Sequence, residues 1–290
     1  MKARRAVRTT ILSLGFLLAL ALTVEAQDTD VPRYLNDRGT GIPTSRFGTY
    51  IRRGELLVNS FFAYSRDHDR EYQPIQLGFG STQDYRARYH DTQGQLFIGY
   101  GVTAWLAIEV ESASIRATFE KSPSDTTATP GRIRESGVGD IEGQLRFRLA
   151  AEREGRPELF GYLEVTAPSH RRRVLIGDRQ WEFRPGLGLI RGFSWGTMTI
   201  RVNGEYNREA AHWDLGEFSI EYLKRLSPAW RLNLAFEGGE TGSFDEWDLV
   251  SGLRWRIGES VFLKLDNAIG LSPKATDWAP EIGIVVSIPR

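Results

Sequence analysis

The chain has 290 residues, with 37 basic and 37 acidic side chains and no cysteine. This balance leaves no basic surplus of the kind that indicates a nucleic-acid partner. The lack of cysteine excludes both a disulfide-stapled secreted domain and a lipid-anchored lipoprotein.

The beginning of the chain predicts an export signal. Residues 1–10 carry four basic side chains, residues 11–24 are almost entirely apolar, and Ala26 supplies the small residue expected at a cleavage site. This order is typical of a secretory signal peptide. The apolar run is short for a transmembrane helix, which needs about 20 residues. We therefore expect residues 1–26 to be a Sec-type signal peptide.

The next segment, residues 27–53, is rich in Gly, Pro, Asp and Arg and has no hydrophobic periodicity. Two interpretations stay open. The segment is either a periplasmic leader without regular structure, or a plug that enters the following domain and pairs Arg46, Arg52 and Arg53 with carboxylates there.

From residue 54 onward the dominant pattern has a period of two. In residues 197–207, for example, Ile200 and Val202 alternate with Arg201 and Asn203. Such alternation indicates β-strands with one apolar and one polar face. We predict twelve strands, at residues 54–65, 88–101, 104–119, 138–151, 157–167, 180–191, 195–207, 213–225, 229–238, 245–257, 260–270 and 277–288.

The lengths of the strands and of their connections favour a membrane barrel. Most predicted strands exceed the about 5–6 residues usual in globular sheets and reach the about 9–11 that a tilted membrane strand needs. The connections alternate between long ones, such as 120–137 and 168–179, and tight ones, such as Val102-Thr103. This predicts an all-β, transmembrane, antiparallel up-and-down barrel of about 12 strands over residues 54–290, with long loops outside and short turns in the periplasm. The expected location is the outer membrane of a Gram-negative-type bacterium.

Tryptophan placement supports the same interpretation. All eight tryptophans lie near predicted strand ends, four beside short turns and four beside long loops, as in the aromatic girdles of membrane barrels. The first set is Trp105, Trp195, Trp230 and Trp255, and the second is Trp181, Trp213, Trp247 and Trp278.

In a barrel of this kind the apolar face contacts lipid and the charged face lines the lumen. Two interpretations of the charged face stay open: ion pairs that fill and close the barrel, or a polar constriction that selects solutes by size and charge. Phe160, Tyr162 and Val250 fit the polar face badly, and indicate either an apolar patch for an aromatic or fatty solute or a slip in register. The candidate lumen-lining residues are Glu109, Glu111, Asp140, Glu142, Arg146, Arg148, Glu164, Arg201, Glu205, Glu237 and Arg254.

No pattern indicates catalysis. The four histidines form no metal-binding pair of recognised spacing, and Asp67-His68-Asp69 is expected in a solvated external loop. Ser169 and His170 are neighbours, so they point to opposite faces of an extended chain. The basic run at 171–173 is expected in an external loop, either solvated or attracting lipopolysaccharide or an anionic solute. We expect no catalytic residue, no metal, no cofactor and no enzymatic activity.

The stretch Gly137-Val138-Gly139-Asp140, the charged strand after it and Pro168 at the end of the next strand resemble the family of outer-membrane proteins named after the MetA pathway of phenol degradation. The resemblance covers about residues 55–288. It implies a twelve-stranded barrel that acts as a channel or transporter.

Three hypotheses follow for function. The first is a channel for passive passage of small solutes, aromatic or hydrophobic ones included. The second is a sealed structural or adhesive barrel, and the third, the least favoured, is a membrane-embedded enzyme. The expected partners are outer-membrane lipid and lipopolysaccharide, the barrel assembly machinery and a small-molecule solute, with no nucleic acid.

Overall fold

The computed structural model describes residues 53–153, 155–170, 172–177, 181–193, 195–207, 212–239 and 246–288. The expected signal peptide and residues 27–52 lie outside the described residues. Within these ranges no helix is long and apolar enough to span a membrane.

Twelve antiparallel strands form one closed barrel, in which each strand pairs with its sequence neighbours. β1 closes the ring on β12, with Leu56 opposite Ile288. The predicted fold class is therefore confirmed. The strands are β1 (Leu56–Tyr72), β2 (Tyr85–Gly101), β3 (Leu106–Glu120), β4 (Arg132–Ala150), β5 (Glu158–Ala167), β6 (Glu182–Phe193), β7 (Gly196–Asn207), β8 (His212–Arg225), β9 (Trp230–Gly239), β10 (Glu246–Arg256), β11 (Val261–Gly270) and β12 (Ala279–Ile288).

β1, β2 and β4 are longer than the sequence pattern predicted. β1 continues to Tyr72, past the predicted end at 65, and β4 begins at Arg132 rather than at 138. Polar residues on both faces and a bulge in each strand hide these extensions in the sequence pattern, but the strand pairing continues through them. For the same reason the segment 67–69 is not a loop: it lies in β1, where the pairing with β2 shifts register between Asp67 and Arg70.

The outer surface of the barrel is apolar and the inward face is not. On β9, Leu234 is 39% and Phe236 is 36% exposed, whereas Asn233 and Ala235 between and beside them are 0% and 2% exposed. Equivalent exposed aliphatic residues occur around the ring, for example Ile108, Leu253 and Ile282. An apolar exterior enclosing a polar interior is the arrangement of a transmembrane barrel.

The loop between β3 and β4, residues 121–131, is organised around Lys121 and Asp125. The Lys121 ammonium donates to the carbonyl oxygens of Thr127 and Thr129 at 2.7 and 3.0 Å. Asp125 accepts 2.7 Å hydrogen bonds from the Tyr72 hydroxyl and the Thr127 amide. Burial by itself raises the pKa of the Asp125 carboxyl, but these hydrogen bonds and Lys121 outweigh it and hold the pKa below its ordinary value.

Candidate functional site in the barrel interior

The predicted lumen-lining residues all lie on the inward face, and each is buried or half-buried. They fall on β3, β4, β5, β7, β9 and β10, so they line the part of the wall from β3 to β10. Several are joined in ion pairs. Glu109 on β3 contacts Arg146 on β4 at 3.4 Å, and Arg148 contacts Glu158 at the same distance.

The centre of one half of the wall is Arg184 on β6, whose side chain is 3% exposed. It lies opposite Glu164 of β5 in the strand register and forms an ion pair with it. It also pairs with Glu205 of β7 at 3.4 Å and with Glu182 on its own strand. Three carboxylates on three strands therefore share one guanidinium.

Two glycines let side chains lie flat along this part of the wall. A Cβ atom at Gly186 or Gly188 of β6 would overlap the ring of Tyr162 or Phe160, respectively. Because β6 is bare there, Tyr162 reaches across it and accepts a 2.6 Å hydrogen bond from Arg201 of β7. Phe160 and Tyr162 therefore point inward without any slip in register, and their rings pack against the glycines of β6.

Guanidinium groups cover both of these aromatic rings. The Arg201 guanidinium carbon lies 4.3 Å from the ring centre of Tyr162, and that of Arg146 lies 4.4 Å from the ring centre of Phe160. Arg201 also pairs with Glu164 at 3.2 Å, spanning from β7 to β5. Each ring therefore presents an aromatic face beside a cation, an arrangement with a cation–π attraction.

A second charged cluster lies on the opposite side, on β10 to β12. Arg254 pairs with Asp266, and Lys264 contacts Asp266 at 3.4 Å and Glu281 at 3.3 Å. The Lys264 ammonium also lies 4.2 Å from the ring centre of Phe61. Both signs of charge are therefore present on both sides of the interior.

Acidic residues face one another on β3 and β4. Glu111 is the register partner of Glu142. Two carboxylates directly opposite on adjacent strands repel each other, so this pair gives the interior a locally acidic stretch. Glu237 on β9 is half-buried on the inward face as well.

Asp140 has a different role from the other predicted lining residues. The pairing of β3 with β4 skips a residue here, so Gly139 and Asp140 together oppose Ala113. The Asp140 carboxylate accepts a 2.7 Å hydrogen bond from the Ser169 amide, just beyond β5. The Ser169 hydroxyl donates to the Gly139 carbonyl. Asp140 and Ser169 thus anchor the start of the long connection between β5 and β6.

That connection turns into the barrel at its long-loop end. We call residues 172–177 the inward segment. Its Val174, Leu175 and Ile176 are 8%, 6% and 1% exposed, and they pack in one cluster with inward residues of β1, β2 and β3. The other core members of that cluster are Tyr72, Leu77, Ala87, Tyr89, Ile115, Ala117 and Phe119.

The inward segment is held by the wall of β4. The Glu135 carboxylate accepts hydrogen bonds from the Val174 amide at 2.9 Å and from the Leu175 amide at 2.8 Å. Arg173 donates to the Ser136 carbonyl. The basic run at 171–173 is therefore split: Arg172 is exposed, Arg173 is used in this attachment, and Arg171 lies outside the described residues.

An apolar cluster lies at the short-turn end of the interior, beside buried polar groups such as Glu55 and Ser287. Leu57, Ala107, Phe262 and Val285 form a buried cluster. These residues come from β1, β3, β11 and β12, so the cluster spans several neighbouring strands of the ring. The charged clusters of the interior therefore lie between this one-sided apolar cluster at the short-turn end and the inward segment at the long-loop end.

Sequence reasoning did not identify Glu135 as a functional residue. It treated residues 120–137 as a loop, although Ile133, Glu135 and Gly137 continue the inward positions of β4. A strict period of two from Glu142 places Glu135 outside; the extra residue at Gly139 and Asp140 turns it inward. Among the described residues there is no group of three or more His, Asp or Glu side chains able to hold a metal ion.

The tryptophans lie at both ends of the apolar band. Seven are exposed and Trp247 is half-buried. Trp230 and Trp255 at the short-turn end are register partners with stacked rings, 5.6 Å between centres. At the long-loop end Trp247 stacks on Phe236 at 4.9 Å.

Two solved outer-membrane proteins are similar to this chain in fold. The crystal structure of the COG4313 outer membrane channel from Pseudomonas putida F1 has a TM-score of 0.57 at 13% identity, covering 82% of this chain and 97% of that chain. The KdgM porin has a TM-score of 0.51 at 7% identity, covering 80% and 99%. No protein-family model and no curated protein sequence matches the chain. The comparisons therefore establish the barrel fold, and membership of the MetA-named family stays a prediction.

Proposed function

We propose that the protein is an outer-membrane channel for passive passage of small solutes through its charged interior. The observation that carries this proposal is the ring of buried ion pairs centred on Arg184 and Arg201. Buried ion pairs cost desolvation free energy, and apolar side chains of similar volume often stabilise a protein as well or better. In a solute path these charges would select solutes by size and charge, whereas in a sealed barrel they would only fill the interior.

We propose that the inward segment narrows the outer end of this channel. With long loops outside and short turns in the periplasm, the inward segment occupies the extracellular mouth. It is attached through two amide groups to one carboxylate, that of Glu135. We propose that displacement of this segment opens the path, while the barrel wall stays unchanged.

The interior suits small solutes, aromatic ones included. Phe160 and Tyr162 offer ring faces, and Arg146 and Arg201 beside them offer cations. An aromatic or otherwise hydrophobic solute would bind a ring face by displacing the guanidinium group stacked on it. We propose that the candidate lumen-lining residues form the path of the solute. The likeness in fold to an outer membrane channel supports the class but not the solute.

A sealed structural barrel is the second candidate. The tight packing of Ile176, which is 1% exposed, and of its neighbours in the mouth favours it. In either case bilayer lipid, lipopolysaccharide and the barrel assembly machinery would be partners, and residues 1–26 would direct export.

Planar-bilayer recording of the purified, folded protein distinguishes the two candidates. We expect brief openings of small conductance from the full chain, and frequent openings from a variant in which residues 172–177 are replaced by a short Gly-Ser linker. Liposome swelling with neutral, anionic and aromatic solutes then gives the selectivity. If the linker variant is folded but passes neither ions nor solutes, the barrel is sealed.

A further inference from the structure

The outer face of β1 to β4 changes its chemistry at the long-loop end. On β2 the outward residues change from Ile98 and Leu96 to His90 and Arg88, all exposed. On β3 they change from Val110 to Arg116 in the same direction, both exposed. These four strands are therefore apolar on the outside over one part of their length and basic over the part beyond it.

The basic groups form one continuous surface. Arg66 of β1 lies opposite His90 of β2, His90 opposite Thr118 of β3, and Thr118 opposite Arg134 of β4. Adjacent strands are about 4.8 Å apart, so this row spans roughly 14 Å of the wall. We call its exposed cationic residues the basic wall, which consists of Arg66, Arg88, His90, Arg116 and Arg134.

The basic wall has little internal neutralisation. Glu71 pairs with Arg86 at 2.9 Å and Glu120 with Arg132 at 3.4 Å, both arginines outside the set. Two further exposed carboxylates lie at its edge: Asp277, which contacts His68 at 3.2 Å, and Asp69 in the β1 bulge opposite Arg88. Within the described part of the chain, none of the basic-wall arginines pairs with a carboxylate. The basic wall therefore carries an excess of exposed positive charge.

The position of the basic wall relative to the tryptophans is informative. The four tryptophans at this end lie at β6, β8, β10 and β12, and β1 to β4 contribute none. Arg66 pairs through its backbone with Trp278, so the wall begins where the tryptophans end. The rim is thus cationic over β1 to β4 and carries its tryptophans from β6 to β12.

We propose that the basic wall binds the phosphate groups of lipopolysaccharide in the outer leaflet, an inference that rests on the proposed outer-membrane location. Arginine suits phosphate because its planar guanidinium makes paired, charge-assisted hydrogen bonds. Basic clusters at a membrane surface attract anionic head groups. Between the basic and apolar zones lie the small residues Gly94, Ser112 and Ser114, which leave room for a sugar–acyl junction against the wall.

The test compares lipid A carrying both phosphates with dephosphorylated lipid A and with phosphatidylglycerol, each titrated onto the full-length protein in detergent and measured by native mass spectrometry. The variant R88Q/R116Q/R134Q is matched by R153Q/R156Q/R172Q, which removes three exposed arginines elsewhere, one of them at the mouth. We expect phosphorylated lipid A to bind the wild type and the control, and to bind the wall variant on the order of a hundredfold more weakly.

Equal binding to the wall and control variants would overturn the proposal. Equal binding of dephosphorylated lipid A would overturn it too, and equal binding of phosphatidylglycerol would replace it with non-specific attraction of anionic lipid. Gel mobility before and after boiling is recorded for each variant. A chain that never shows the mobility shift of a folded barrel would contradict the membrane assignment itself, which separates that failure from failure of the lipid site.

Discussion

Replacing Glu135 by Ala should open the mouth of the barrel. The Glu135 carboxylate accepts hydrogen bonds from two amides of the inward segment, those of Val174 and Leu175. A hydrogen bond to a charged group contributes about 1.5–3 kcal/mol, so losing two costs at least about 3 kcal/mol. At about 1.4 kcal/mol per factor of ten, the ratio of displaced to inward segment rises on the order of a hundredfold. The hydrogen bond from Arg173 to Ser136 and the burial of Val174, Leu175 and Ile176 stay as the remaining restraints.

The measurement is the opening frequency of single channels. Glu135→Gln retains an acceptor oxygen without the charge and should give a smaller rise, about tenfold. Glu120→Ala is the matched control. It removes a carboxylate at the long-loop end of β3 that pairs with Arg132 at 3.4 Å. If folded Glu135→Ala opens no more often than this control, the carboxylate does not hold the mouth closed.

Three further outcomes are expected. Gly188→Ala places a methyl group in the Phe160 ring and should destabilise the barrel by about 1–3 kcal/mol in urea titrations. Adding Phe160→Ala should restore part of the loss. A Gly188→Ala barrel of wild-type stability would contradict the packing of the Phe160 ring on Gly188. Leu145→Arg on the apolar exterior should lower the free energy of unfolding, measured in vesicles, by about 2–4 kcal/mol. Ile75→Arg, similarly exposed but beyond the end of β1, should lower it little. Equal losses would contradict the placement of the apolar membrane-facing band. Because the folded-state pKa of Asp125 is lowered, its contribution is complete above the unfolded-state value of about 3.9 and is lost as the pH falls through the lower folded value. The protection of residues 121–131 from hydrogen exchange, relative to the intrinsic rate at each pH, should therefore be constant at pH 5 and fall only below about 4. Asp125→Asn should remove this fall in protection.

The closed twelve-stranded barrel could be predicted from sequence because lipid on the outside requires an apolar residue at every second position of a strand. Where lipid covers one face, alternation must be strict, as at Ile200, Arg201 and Val202. The rule weakens where both faces are polar. At Arg134 and Glu135 the outer residue faces water and the inner one binds backbone amides, so the alternation of hydrophobicity disappears although the strand continues.

The interior contacts could be predicted less well. Alternation indicates that Arg184 and Arg201 point inward, but their partners depend on register and on side chains crossing bare glycines. Gly188 and Phe160 lie on neighbouring strands and 28 positions apart, and no local pattern connects them. The inward segment is a loop without periodicity, so its entry into the mouth follows from tertiary contacts such as those of Ile176.

The inside-out arrangement of the barrel is tested most directly by two labels on adjacent residues. The chain has no cysteine, so Leu234→Cys and Ala235→Cys each carry a single fluorophore, on the 39% exposed and the 2% exposed position of β9. In vesicles containing a nitroxide lipid quencher, we expect strong quenching at position 234 and weak quenching at position 235. The reverse order, or equal quenching at both positions, would contradict a barrel with an apolar exterior and a charged interior.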